Sequence, residues 1–325
     1  MKVMLTSPHI YPAASRLGAG LEPLESPSRS SFHIHDVLAK GLAERGHDVF
    51  YLLPAGAVEP APRGVTLISE PTADVEIVHT DNPPDERMAG RLDAMGKPWV
   101  TTCHLDMRER GRDLPAAGEH WIFVSRTLAA CHGRDRFVLN GLDPADYIYS
   151  ESKDDFVLFM STMDWGLKKG LDVSVSLSRY FELKLVVAGT GKDRESISRA
   201  AEFCKSTGVT YVGDVRGARK AELLAGARAL LYPTRLNEGF GLPMVEAMMS
   251  GTPVICSDKG ACPEIVSSKV GFVCTGWDEY VTALNRIGEI EPRECREFAL
   301  REYHYQRMSR DYIREYEKEL GLGQA

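Results

Sequence analysis

The sequence predicts an α/β protein built from two successive open parallel sheets. Short runs rich in Val, Ile, Leu and aromatic residues alternate with amphipathic segments along the whole chain, the pattern of β-α units around a buried sheet. At 325 residues the chain is about twice the ~150 residues of one domain. The alternation also restarts after Glu151-Ser-Lys-Asp-Asp155, a charged stretch behind the turn-like Asn140-Gly-Leu-Asp-Pro144. Domains are therefore expected over 1–150 and 151–305, with 306–325 as a closing helix.

In the first half the strands are expected at Lys2–Thr6, Asp48–Leu53, Val75–His79, Pro98–Thr102 and Trp121–Val124. Between the first two, Ile34, Val37, Leu38 and Leu42 recur at helical spacing and Gly46 follows as a stop, so Phe32–Arg45 reads as a helix with one face on the sheet. The Pro/Ala/Gly patch Leu53–Gly64 reads as a loop. In the second half the strands are expected at Phe156–Met160, Leu183–Ala188, Val209–Val212, Ala229–Tyr232, Pro253–Cys256 and Gly271–Cys274. Arg293–Leu320, rich in Glu, Arg and Tyr, reads as the longest helix. Open parallel sheets bind ligands beyond the carboxyl ends of their strands, which places the expected site at strand ends in a cleft between the domains.

Composition narrows the function classes. Hydrophobic residues at 43% and charged residues at 26% are ordinary for a folded soluble chain. Lys+Arg 39 against Asp+Glu 46 gives a net charge of −7 without a basic tract, so nucleic acid is not expected as a partner. The 7 cysteines form no C-x-x-C pair and no zinc spacing, and read as reduced thiols. The start Met-Lys-Val-Met-Leu-Thr reaches Ser7-Pro-His9 too soon for a signal-peptide core, and no run approaches the ~18 apolar residues of a membrane span. A cytoplasmic location is expected.

The most informative segment runs from Tyr232 to Val254, containing Glu238-Gly-Phe-Gly-Leu-Pro-Met-Val-Glu246. A strand ends at Tyr232, a loop with Gly239 and Gly241 follows, and Pro243 sits where a first helical residue would, since its missing N–H costs nothing there. Such a loop delivers free backbone N–H groups to a helix N-terminus, which favours phosphates. Glu238 and Glu246 bracket this turn, and carboxylates accept charge-assisted hydrogen bonds from the vicinal hydroxyls of a sugar or a ribose.

Glu238 and Glu246, with seven residues between them, resemble the E-x7-E motif of retaining GT-B glycosyltransferases, most closely glycosyltransferase family 4. Val209-Thr-Tyr-Val-Gly-Asp-Val215 resembles the family's base-holding strand and loop, and Ser250-Gly-Thr-Pro-Val-Ile255 and Pro263-Glu-Ile-Val266 resemble the elements beyond the motif. In the first half, Leu42-Ala-Glu-Arg-Gly-His-Asp-Val49, Val124-Ser-Arg126 and Asn140-Gly-Leu-Asp143 also resemble family positions. The resemblance covers nearly the whole chain and is most specific in the C-terminal half. It implies the GT-B architecture, two Rossmann-like domains facing across a cleft: an acceptor-side domain over 1–150, a nucleotide-sugar domain over 151–305 and a last helix returning to the first domain.

The resemblance also implies roles. Glu246 would bind the ribose hydroxyls of a nucleotide-diphosphate sugar, and Glu238 with the backbone of Gly239, Phe240, Gly241 and Leu242 would face the donor sugar. Lys169, or its neighbour Lys168, would neutralise the diphosphate, and Gly213 and Val215 would lie at the base. His104, after Val100-Thr-Thr-Cys103, matches an active-site histidine, and His79 ends a strand by the same logic. There is no Asp-x-Asp metal motif, so a metal-independent site without a cofactor is expected, with a UDP- or GDP-sugar as donor substrate and a small molecule or glycan as acceptor. For retention the acceptor would attack on the face the nucleotide leaves, with the leaving phosphate taking its proton.

Two departures stand out. Ser161-Thr162 replaces the family's Gly-Arg pair, and a threonine hydroxyl is no substitute for a guanidinium fork on a diphosphate. Ser26-Pro-Ser-Arg-Ser-Ser31 replaces its Gly-Gly pair, and Arg29 is a candidate for the missing charge. They keep open an alternative in which Thr162 leaves a weak or inactive homologue that binds nucleotide without transfer. Epimerase and phosphorylase readings are set aside, because other carboxylates, a cofactor-lysine context and a longer chain would be needed.

Overall fold

A computed structural model describes residues 1–6, 30–52, 63–82, 86–108, 116–191 and 193–322. Arg29 therefore lies outside the described residues. The described chain divides into two compact units, one taking in Met1 to Asp143 together with Tyr303 onward, the other Pro144–Glu302.

The first unit is a six-stranded parallel sheet in the order β3-β2-β1-β4-β5-β6. Its strands are β1 (Lys2–Thr6), β2 (Asp48–Leu52), β3 (Val65–Ile68), β4 (Ile77–Thr80), β5 (Trp99–Cys103) and β6 (Trp121–Phe123). β1 is central, pairing Val3 with both Val49 and Ile77. Its run Val3-Met4-Leu5 is buried, as a parallel strand covered on both faces requires. α1 (Ser30–Glu44) buries Ile34, Val37, Leu38 and Leu42, and Gly46 at φ +82° terminates it. The remaining helices of this unit are α2 (Glu86–Ala94), α3 (Arg126–Cys131) and α11 (Tyr305–Glu319). β3 was not expected from the sequence. It is a four-residue edge strand in which only Val65 is buried, too short to show periodicity.

The second unit repeats the order as β9-β8-β7-β10-β11-β12. Its strands are β7 (Phe156–Met160), β8 (Lys184–Ala188), β9 (Thr210–Tyr211), β10 (Ala229–Tyr232), β11 (Val254–Ser257) and β12 (Gly271–Cys274). The helices are α4 (Leu171–Tyr180), α5 (Arg194–Thr207), α6 (Gly217–Gly226), α7 (Leu242–Met249), α8 (Cys262–Ile265), α9 (Trp277–Arg286) and α10 (Pro292–Glu302). α7 is buried from Met244 to Met249, which explains why its sequence is apolar all round apart from Glu246. Both sheets thus follow the doubly wound order in which the chain reverses direction between β1 and β4, and between β7 and β10.

The helix expected over Arg293–Leu320 is two helices, α10 and α11, broken at Tyr303-His304. No Gly or Pro marks the break. It is made by long-range pairing: Leu142 N–H donates to Tyr303 O at 2.8 Å, and Tyr305 N–H donates to Leu142 O at 3.0 Å. His304 is extended, and its Nδ1 caps α11 by accepting from Gln306 N–H at 3.1 Å. Among the described residues no helix is long and apolar enough to cross a membrane.

Candidate functional site

In the second unit the reversal between β7 and β10 sets the site. The chain leaving β7 passes Ser161-Thr162 and a single 3-10 turn, Met163–Trp165, to reach Lys168, Lys169 and Gly170. Gly170 has φ +84°, and a Cβ there would lie 2.1 Å from the carbonyl oxygen of Pro233, just beyond β10. Only a glycine lets these strand exits pass so closely, and the passage lays Lys169 against the β10 loop.

Lys169 Nζ pairs with the Glu238 carboxylate and donates to Tyr232 OH at 3.3 Å, lying 5.6 Å from the centroid of that ring. Thr234 Oγ1 donates to the same Glu238 oxygen at 3.2 Å. From β11 a third exit closes on Glu238: Ala261 N–H donates to Glu238 O at 2.9 Å. A Cβ on Gly260 would lie 2.2 Å from Glu238 N. Burial first and the Glu238 charge second push the Tyr232 phenol well above its ordinary range, so it stays neutral.

α7 begins one residue earlier than Pro243, at Leu242, behind Gly241 at φ +88°. One turn into it, Glu246 is 5% exposed and its Oε1 accepts from Lys220 Nζ at 2.5 Å and from Tyr147 OH at 3.2 Å. Two buried carboxylates, each with an ammonium partner, therefore flank a glycine-rich loop and a helix N-terminus. A buried charge tolerates such a place only when paired.

The expected residues are distributed unevenly. Lys169 and Glu238 touch, and Gly239, Phe240, Gly241 and Leu242 form the loop running from Glu238 into α7. Thr162 and Lys168 are exposed, and the Lys168 carbonyl accepts from Arg235 N–H at 2.8 Å. Gly213, at φ +73°, accepts from Gly189 N–H at 2.8 Å beyond β9, and Val215 is buried just after it. Lys220 and Tyr147 were not anticipated, because nothing local marks a helix lysine or a linker tyrosine that meets a glutamate far along the chain. Thr234 lay inside the conspicuous segment and could have been read from it.

In the first unit His79 is not at the strand end. β4 continues to Thr80, and His79 is fully buried. Its Nδ1 lies 2.6 Å from Tyr316 OH and its Nε2 2.7 Å from Thr102 Oγ1, which in turn lies 2.7 Å from Tyr312 OH. Burial holds this imidazole well below its ordinary value and therefore neutral. Both ring nitrogens are used in fastening α11 to the sheet. His104 does follow its strand, with Nε2 3.0 Å from Oδ1 of Asp81, the first residue beyond β4. Among the described residues no group of three or more His, Cys, Asp or Glu side chains is arranged to hold a metal ion.

Residues 149–303, just under half of the chain, match the family described as Glycosyl transferases group 1. O-antigen chain mannosyltransferase B of Escherichia coli is 35% identical over 91 residues, 28% of this chain and 23% of that protein. The matched stretch thus spans about a quarter of that relative. Two solved structures extend over both units. AviGT4, a glycosyltransferase involved in avilamycin A biosynthesis, superposes with a TM-score of 0.74 at 23% identity over 98% of both chains. Anabaena HepE in complex with UDP gives 0.72 at 14% identity over 98% of this chain and 100% of that one. The fold is that of the GT-B glycosyltransferases, and residues 149–303, which contain both carboxylate–lysine pairs, are the part that matches the Glycosyl transferases group 1 family.

Proposed function

We propose that the protein is a glycosyltransferase of family 4 type, moving a sugar from a nucleotide-diphosphate sugar to an acceptor hydroxyl with retention of anomeric configuration. The observation that carries this reading is the pair of ion pairs, Lys169–Glu238 and Lys220–Glu246, on either side of the α7 N-terminus in the family-matching segment. The second unit takes the donor and the first the acceptor.

Each group has a definite task. Glu246 commits Oε1 to Lys220 and Tyr147, and its second oxygen accepts from the ribose hydroxyls. Lys169 has three N–H donors; Glu238 and Tyr232 take two, and the third meets a phosphate oxygen. As the glycosidic bond breaks, negative charge grows on the diphosphate, where that ammonium and the α7 N-terminus stabilise it most. Glu238, fixed by Lys169, Thr234 and the Gly260 turn, accepts from hydroxyls of the transferred sugar. The departing phosphate oxygen takes the acceptor's proton, so no protein nucleophile is needed. Lys168 and Lys169 together carry the positive charge that the arginine of the resembling family's Gly-Arg pair would bring, where this chain has Ser161-Thr162.

Calorimetric titration with UDP, GDP, ADP and TDP tests the reading. Selective binding by the wild type, reduced at least about tenfold in Glu246→Ala, is expected, since a charged hydrogen bond contributes ~1.5–3 kcal/mol. Absence of binding near millimolar nucleotide would overturn it. Binding without any release of sugar to water or acceptor would favour the nucleotide-binding homologue instead.

A further inference from the structure

The turn between β7 and α4 that carries Lys169 is fastened twice, and the second fastening is independent of Glu238. Arg235 stands on the loop after β10, next to Thr234, whose hydroxyl donates to the Glu238 carboxylate. The backbone N–H of Arg235 donates to Lys168 O at 2.8 Å. Its guanidinium reaches to both sides of Lys169: Nη1 donates to Leu167 O at 2.5 Å and to Asp172 Oδ1 at 2.8 Å, and Nη2 donates to Asp172 Oδ2 at 2.8 Å. Asp172 lies in the first turn of α4, where a carboxylate suits the helix N-terminus, and the Arg235 fork is the foremost cause holding it below the ordinary carboxylate range. The Leu167 carbonyl also accepts from Gly170 N–H at 3.1 Å, and Leu171 N–H donates to Gly166 O at 2.9 Å. The clamp and the turn's own backbone bonds therefore share an acceptor.

Stability does not account for this arrangement. The ion pair is half-exposed, 51% for Arg235 and 45% for Asp172, a setting in which water screens the charges and an ion pair adds little to the folded state. The turn it holds buries little apolar surface either, since Leu167 is 57% exposed. What the clamp does fix is the backbone beneath Lys169, whose ammonium reaches Glu238 and Tyr232 across the same strand exits. Ordering a long side chain on a ligand costs conformational entropy, and a backbone already held in place reduces that cost. We infer that Arg235 is a positioning residue for Lys169, clamping the turn between β7 and α4 so that the ammonium stands in place for a phosphate group before the ligand arrives. The phosphate rests on the proposed transferase reading; the clamp does not. A lysine at this position cannot do the same, because a single ammonium lacks the planar fork that spans both Asp172 oxygens and the Leu167 carbonyl.

Two measurements test it. Without ligand, backbone amide exchange read by mass spectrometry should show Gly170 and Leu171 exchanging roughly tenfold faster in Arg235→Met than in the wild type, with β7 and β8 unchanged. Unaltered exchange at Gly170 and Leu171, or a rise spread equally over β7 and β8, overturns the inference. With ligand, calorimetric titration with UDP and GDP should show affinity falling by roughly fivefold to tenfold in Arg235→Met and in Arg235→Lys. Introduced into Lys169→Met, the Arg235→Met change should lower affinity by less than about twofold, because a residue that acts through Lys169 then has nothing to position. An equal loss in both backgrounds, or full affinity in Arg235→Lys, also overturns the inference. If Lys169→Met binds UDP and GDP as the wild type does, or the wild type binds neither, the reading of Lys169 as the diphosphate's partner falls, and the exchange measurement decides the clamp by itself.

Discussion

Gly41→Ala probes the attachment of the C-terminal helix to the first unit, and its two opposing terms can be weighed from the structure. Gly41 lies within α1, and it is not among the residues of positive φ, so alanine meets no backbone strain. On helix propensity alone the change would stabilise by ~1 kcal/mol. A Cβ at this position, however, would lie 1.9 Å from Ser309 Oγ, 2.9 Å from Ser309 Cβ and 3.1 Å from Tyr305 Cδ2. Ser309 is fully buried and its Oγ donates to Tyr305 O at 2.8 Å, so it has no room to swing away. Overpacking of a tight core costs ~1–3 kcal/mol, and so deep an overlap belongs at the upper end. The net expectation is a loss of about 1–2 kcal/mol, or a fall in Tm of roughly 2–8 °C for a unit of this size. Calorimetric or fluorescence melting reads it, and combining the change with Ser309→Gly should recover ~1 kcal/mol relative to the sum of the single effects. A raised Tm in Gly41→Ala, or strict additivity in the double variant, would show that α1 and α11 do not pack as described.

Two further outcomes follow from particular contacts. Gly170→Ala combines φ +84° with a Cβ 2.1 Å from the Pro233 carbonyl, and since backbone must move, a loss of ~2 kcal/mol or more and weakened nucleotide binding through Lys169 are expected; chemical denaturation and calorimetry with UDP and GDP check both, and unchanged nucleotide affinity would detach Lys169 from the donor site. Lys153 gives a pH signature. Its ammonium donates to Ala225 O, Ser250 O and Thr252 Oγ1, with no carboxylate partner among the described residues, and burial lowers it from 10.5 to about 8. Between those values the unfolded chain holds the extra proton, so this group's contribution raises stability as pH increases from about 8 toward 10.5. The urea midpoint difference between wild type and Lys153→Met should therefore move toward the wild type across that window, and a flat difference would rule the assignment out.

The strands could be read from the sequence because their signal is local. Val3-Met4-Leu5, Phe156–Met160 and Ala229–Tyr232 are uninterrupted apolar runs, as strands covered on both faces must be. The turn chemistry was local too: Gly239 and Gly241 ahead of Pro243 announce a loop entering a helix, and Glu238 and Glu246 stand out within nine consecutive residues. Other features have no local cause. The edge strand β3 exists because β2 offers it a partner, and the long terminal helix breaks at Tyr303-His304 because Leu142 takes those backbone groups. The same is true of the partners that give the glutamates and histidines their character. Lys220 reaches Glu246 across 26 residues, Lys169 reaches Glu238 across 69, and Tyr316 meets His79 across 237. Residue type and spacing along the chain therefore determined where most strands lie, to within a residue or two, and which carboxylates are conspicuous. Which ammonium neutralises each carboxylate, and that His79 is held in the core while His104 is paired to Asp81, was decided only when the sheet order brought distant strand ends together.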